Sequence, residues 1–304
     1  MRRFALALAL LWTGLALAQA PRYPLTVKGT QEGRGAMVRA HNDGPIPVSI
    51  VVTFPESKNL QSTERLPIVA VVPANTVVEL TRLTPLNARE GWSYRLRYRL
   101  RYGSYNAGHD PAALYRVPWM EGRSFVIGQA PGGRMVTHLT AASREAVDIP
   151  MPEGTPILAA RAGVVFMTVA DNDAGGADEA YRSKANVVRI LHGDGTIGNY
   201  VHLMHEGVAV KSGERVEAGK LIGYAGNTGM SSGPHLHFAV TRVVREGDEL
   251  SEVSEPFRFY IGTPPRPFRP LSGLAVRSDY SSQAIDPQVL RRQRPASEPA
   301  PSFR

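Results

Sequence analysis

The sequence predicts a mainly β protein. It comprises an N-terminal β-sandwich of immunoglobulin-like type, a second domain of antiparallel β-sheet and β-roll with a cleft, and a disordered C-terminal tail. Three observations lead there. Short apolar runs alternate with turn signals through the first third of the chain. The middle is built of brief strands separated by glycine turns, and the end is rich in Pro, Ser, Arg and Gln with few large apolar side chains. The corresponding segments are 1–18, 19–120, 121–263 and 264–304.

The first segment has a basic start, Met1-Arg2-Arg3, an almost unbroken apolar run from Phe4 to Leu17, and small residues at Ala16, Ala18 and Ala20. That is the layout of a secretory signal peptide, with cleavage expected after Ala18. The run is shorter than the ~20 apolar residues of a spanning helix, so export to the periplasm, envelope or exterior is expected, with no membrane span after cleavage. The chain has no Cys. An exported chain of this kind has no disulfides, and any transition-metal site in it is built from His, Asp and Glu. At 43% hydrophobic and 20% charged the composition supplies a packed core, which excludes a fibre or a wholly disordered chain. The formal charge of +8 owes much to Arg2, Arg3 and the arginines of the tail, leaving the folded part mildly basic. No nucleic-acid partner is inferred from it.

In the sandwich, strands are expected at 25–29, 36–41, 48–54, 68–72, 77–83 and 92–102, broken by turns such as Asn42-Asp43-Gly44 and Pro73-Ala74-Asn75. The last run is the clearest. Trp92, Tyr94, Leu96, Tyr98, Leu100 and Tyr102 alternate with Ser93, Arg95, Arg97, Arg99 and Arg101. A period of two puts the aromatic and leucine side chains on one face and the arginines on the other. The arginine face is either plain solvated surface or a cationic stripe for anionic wall polymer. Residues 106–121, with Gly108 and Pro111, are expected to form a loop-like connection.

Six of the eight histidines fall in the second block: His138, His192, His202, His205, His235 and His237. His235 and His237 flank Leu236 at the start of a strand-like run, and residues two apart on a strand share a face. Two imidazoles on one face are a starting point for a metal site or a metal-plus-base pair. The glycine-rich stretch Gly226-Asn227-Thr228-Gly229-Met230-Ser231-Ser232-Gly233-Pro234 leads into them, and a hairpin with its turn at Gly193-Asp194-Gly195 carries His202 near its far end. His192 is expected to bond local backbone and His205 to lie in a loop that borders the cleft at most. Asn186 and Asn227 are candidates for orienting backbone or substrate, though turn asparagines usually serve the turn.

Over residues 136–240 the chain resembles the LytM/lysostaphin-type zinc peptidases of bacterial cell walls. The resemblance rests on a His followed by an Asp, on Pro152-Glu153-Gly154-Thr155-Pro156 running into Gly163-Val164-Val165, on Tyr200-Val201-His202-Leu203, and on Gly226-Asn227-Thr228-Gly229 with Gly233-Pro234-His235-Leu236-His237-Phe238. It implies that His138, Asp148 and His237 bind Zn2+ and that His202 and His235 stay off the metal and handle protons. Nine residues separate His138 from Asp148, where much of the family has three, so residues 139–147 must leave and return to the same place. The implied activity is hydrolysis of peptide bonds in peptidoglycan stem peptides or crossbridges. Alternatively, the chain is an inactive relative that regulates another wall hydrolase; such a relative is expected to lack one of the five residues, and all five are present. Two imidazoles and one carboxylate leave a zinc site with an open position. Which of His202 and His235 is the general base stays open.

Overall fold

The computed structural model describes residues 23–133 and 137–288, so the expected signal segment lies outside the described residues. The N-terminal unit contains β1 (Leu25–Glu32), β2 (Gly35–Asn42), β3 (Val48–Lys58), β4 (Leu60–Ser62), β5 (Ile68–Val72), β6 (Thr76–Pro85) and β7 (Ser93–Tyr102). They form two antiparallel sheets, β1-β2-β6-β4 and β5-β3-β7, around one core of Leu25, Val27, Val38, Val48, Ile50 and Val52 among others. All six expected strands are present; β4 was not foreseen. The turn after β2 is fixed by Asn42, whose buried Nδ2 donates to the carbonyls of Ile46 (2.9 Å), Val72 (3.1 Å) and Pro73 (2.9 Å).

On β7 the alternation holds residue by residue, with aromatic and leucine side chains against the core and arginines outward. Arg95 pairs with Glu56 (3.0 Å) and Arg99 with Glu249 (2.8 Å), so two of the four arginines are already neutralised. Pairs this exposed contribute about 0–1 kcal/mol and are screened by salt.

Next along the chain are β8 (Leu114–Arg116) and β9 (Ser124–Val126). Residues 106–121 are not merely a connection. Strand β8 carries Tyr115 into the second core, with Val117 and Trp119 following it, all fully buried. The second unit therefore begins near residue 113 rather than 121. A three-residue strand is too short to display a period of two, which is why the sequence pattern did not reveal it.

The second unit continues with β10 (Val147–Pro150), β11 (Pro156–Leu158), β12 (Gly163–Val169), β13 (Gly175–Gly176), a 3-10 helix (Glu179–Lys184), β14 (Asn186–Leu191), β15 (Ile197–Val208), β16 (Arg215–Val216), β17 (Leu221–Ala225), β18 (Gly229–Met230), β19 (His235–Glu246) and β20 (Glu249–Ser254). Its main sheet runs β10-β19-β15-β14-β12-β16, with β11, β17 and β20 attached. Among the described residues no helix is long and apolar enough to cross a membrane.

The tail is not disordered from residue 264. Strand β21 (Arg258–Ile261) pairs with β22 (Arg266–Phe268), and β23 (Ala275–Arg277) pairs with β9. Phe268, Leu274, Val276 and Ala284 are buried in the second core. Few apolar residues are needed to hold a segment when each of them enters an existing core. Residues 289–304 lie outside the described residues.

The two units share packing. Phe166 of β12 and Ile197 of β15 belong to the sandwich core, and the Phe166 ring lies 5.2 Å from that of Tyr102.

Candidate metal centre

Three adjacent strands of the main sheet present the site. In the β10–β19 ladder Asp148 stands opposite His237, and in the β15–β19 ladder Val201 stands opposite His237, with His202 next along. Leu236 is fully buried while His235 and His237 on either side are partly open, so both imidazoles face the cleft as the period of two requires.

Asp148 is the hub. Its carboxylate lies 2.9 Å from His237 Nδ1, 3.1 Å from His138 Nε2 and 3.7 Å from His235 Nε2. One ligand atom each from His138, Asp148 and His237 falls within 4.8 Å of the others. The structure therefore brings together all three expected ligands, His138 included. The donors suit a divalent cation: a buried carboxylate faced by imidazoles rather than by Lys or Arg, with no thiolate in the chain. Burial pushes the Asp148 carboxyl up, but hydrogen bonds from His138 and His237 outweigh it and hold the group well below the usual carboxylate range.

His138 arrives on a strap, residues 139–147, that turns on itself at Thr140–Ala146 through hydrogen bonds from the amides of Ser143 and Arg144 to the Thr140 carbonyl. Two residues outside the sequence motifs tie it down. Ser254 bonds both legs of the strap. Gln129 accepts hydrogen bonds from the Thr137 amide (3.2 Å) and hydroxyl (3.0 Å). Nothing in the local sequence marks either residue, because each is linked to the strap only through the fold.

His202 and His235 sit beside the centre with ring centroids 4.7 Å apart, and His202 is 6.0 Å from His237. Both donate Nδ1–H to carbonyls of the 226–234 loop, His202 to Thr228 (2.7 Å) and His235 to Gly233 (2.8 Å). Each ring is thereby fixed in the tautomer that leaves Nε2 with a free lone pair. Burial and the neighbouring His235 push the His202 pKa down to about 4, so it is neutral near pH 7.

The backbone at His202 is left-handed (φ 65°), a conformation that costs a non-glycine residue on the order of 1–3 kcal/mol. Its surroundings enforce it. Thr228, 4% exposed, donates from Oγ1 to the Leu203 carbonyl (2.6 Å) and accepts the Asn186 amide (3.0 Å). Asn186, fully buried, donates to the carbonyls of Asn172 (2.8 Å) and Met204 (3.2 Å). Of the two asparagines singled out from sequence, Asn186 thus braces the chain around His202. The others behave as ordinary histidines: buried His192 donates to the Ala162 carbonyl (2.9 Å), and His205 points to solvent beside Glu206.

The cleft, about 500 Å³, is lined by Leu139, Thr140 and Ser143 of the strap, by Ala177, Arg182, Met230 and Ser231, and by the imidazoles of His138, His202, His235 and His237. An all-β scaffold presenting a His/Asp cation site with two spare imidazoles in an open groove is the layout of a metallopeptidase domain.

Residues 142–250 match Peptidase family M23, and the chain carries a domain of that family; the matched span begins just after His138. The chain is 39% identical over 97 residues to peptidoglycan DD-endopeptidase ShyA of Vibrio cholerae, covering 32% of this chain and 20% of that protein. It is 41% identical over 91 residues to peptidoglycan DD-endopeptidase ShyC of the same organism, covering 30% and 18%. To glycyl-glycine endopeptidase ALE-1 of Staphylococcus capitis it is 38% identical over 93 residues, covering 30% and 23%. The similarity thus spans about a fifth of the length of these relatives.

Proposed function

We propose that this protein is an exported zinc endopeptidase that hydrolyses peptide bonds of peptidoglycan, in stem peptides or crossbridges. The observation that carries the reading is the convergence of His138, Asp148 and His237 beside two further imidazoles of fixed tautomer in one groove. The names of the relatives supply the substrate class. The basic-then-apolar start of the chain supports export.

His138, Asp148 and His237 would hold the ion. When bound, zinc supplies Lewis acidity and lowers the pKa of a water from 15.7 toward roughly 7. The remaining chemistry belongs to the protein. A water adding to the scissile carbonyl must lose a proton, and the Nε2 lone pairs of His202 and His235 are the acceptors that their Nδ1 hydrogen bonds leave free. Once protonated, the same Nε2–H faces the groove as a donor to the developing oxyanion and then to the departing amine. The neutral state of His202 keeps it ready to accept. The walls hold an extended peptide through the hydroxyls of Thr137, Thr140, Ser231 and Ser232.

The test is release of peptides from purified peptidoglycan by the full mature chain, with and without chelator. About one zinc per chain and chelator-sensitive release are expected. His237→Ala should lose metal and activity together. His202→Ala should keep metal and lose turnover by about 100-fold or more. Full activity in the metal-free protein would remove the proposal.

A further inference from the structure

We propose that Ser254 and Gln129 are positioning residues for the metal: together they fix the strap between His138 and Asp148 in the one course that delivers His138 to the site. The inference rests on reading His138, Asp148 and His237 as the metal centre.

The strap has little else to hold it. Leu139 is 76% exposed, residues 139–145 contribute nothing to the buried core, and only Ala146 and Val147 at its returning end are fully buried. A nine-residue excursion with apolar anchorage only at its returning end samples many courses, and a ligand at its start would be delivered to the site only part of the time. Hydrogen bonds must therefore select the course.

Ser254 does so from one side. Its amide donates to the Ala141 carbonyl (2.8 Å), its hydroxyl donates to the same carbonyl (2.9 Å), and its Oγ accepts the Glu145 amide (3.1 Å). One hydroxyl thus spans the outgoing and returning legs. Ser254 ends β20 and stands opposite Thr241 of β19, the strand that carries His237. The strap is thereby referenced to the third ligand.

Gln129 acts from the other side. Its backbone exchanges both hydrogen bonds with Asp148, amide to carbonyl at 3.2 Å and 3.0 Å. Its side-chain Oε1 accepts from the amide and hydroxyl of Thr137, the residue before His138. The approach to the first ligand is thus referenced to the second. The two devices act at different points of the segment, Gln129 before His138 and Ser254 across the two legs, and both lead back to the strands that hold the other ligands.

Zinc affinity of the full mature chain, measured by competition with a chelator of known affinity, is the direct readout. Ser254→Ala and Gln129→Leu should each weaken zinc binding roughly tenfold, the lower end of what outer partners of metal ligands contribute. Ser254→Thr, which keeps the hydroxyl, and Gln129→Glu, which keeps an acceptor, should bind within about threefold of the parent. Peptide release by the two weakened variants should recover at saturating zinc, which a general loss of structure does not allow. If one variant fails to fold, the other decides, since they act at different points along residues 137–145. A parent chain that binds no zinc removes the metal-centre reading and this inference with it. A parent that binds zinc, with both truncated variants binding within twofold of it, overturns the positioning role alone.

Discussion

At the scale of single residues, the His202 imidazole of the site is held by groups that do not line the cleft. Thr228 makes this concrete: its carbonyl fixes the tautomer of His202 while its hydroxyl braces the neighbouring backbone. Thr228→Val removes the hydroxyl and leaves the Asn186 amide without its buried acceptor. We expect a loss of about 1–3 kcal/mol in stability and a drop in kcat with metal content unchanged, reversed by Thr228→Ser; denaturant melts and single-turnover rates measure the two effects. Asp148→Asn should instead act on the metal, because it removes the one carboxylate of the proposed His138–Asp148–His237 centre from a buried position while keeping shape. Isothermal titration of the apo variant should show zinc binding lost at micromolar concentrations.

At the scale of elements, the β14–β15 hairpin holds a second buried histidine whose effect is on stability. Burial pushes the His192 pKa down to about 4, against an unfolded value near 6.5. The folded state keeps the ring neutral while the unfolded chain binds a proton, so its contribution is fully present above about pH 6.5 and is lost as pH falls through 4. The difference is on the order of 3 kcal/mol across that window. Urea melts of the parent from pH 7.5 to 4.5 should therefore fall more steeply than those of His192→Gln, and parallel slopes would refute this. The packing is close enough to give an independent check. A Cβ at Gly198 would stand 2.8 Å from His192 Nε2, so Gly198→Ala should cost about 1–3 kcal/mol.

Elements also show where sequence patterns carry information. The six longer strands of the sandwich announced themselves because five or more residues suffice to display alternation, as β7 does with its aromatic and arginine faces. Strands β4, β8, β9, β22 and β23 have three residues each and no readable period. For β8, β9 and β23 the partners also lie far away in sequence, Tyr115 beside Phe259 and Val276 beside Phe125, so nothing local could mark them.

At the scale of the whole molecule, the two units and the segment after residue 264 form a connected structure. Phe166 and Ile197 of the peptidase unit complete the sandwich core, and β23 closes onto β9. A chain ended at Thr263 would expose the pockets of Phe268, Leu274 and Val276, and burial of a single Phe alone is worth about 3–5 kcal/mol by truncation. Calorimetry of that truncation should show no cooperative transition above about 40 °C, whereas a chain ended at residue 288 should melt like the parent; equal melts for all three would show the segment to be dispensable. Phe166→Ala should lower the melting of both units together rather than of one.

The sequence by itself determined the β class, the strand period and the pairing of two imidazoles on one face, because these follow from residue type and short-range spacing; the set of five polar residues came from the resemblance to LytM/lysostaphin-type peptidases. Only the tertiary structure decided that His138 reaches Asp148 across nine intervening residues, that Ser254 and Gln129 bond the segment around His138, that Thr228 and Asn186 brace the backbone around His202, and that residues between 264 and 288 enter the core. Each of those depends on contacts between residues distant along the chain. Such contacts leave no periodic trace, since the hydrogen bond or buried surface that rewards them exists only once the strands between have paired.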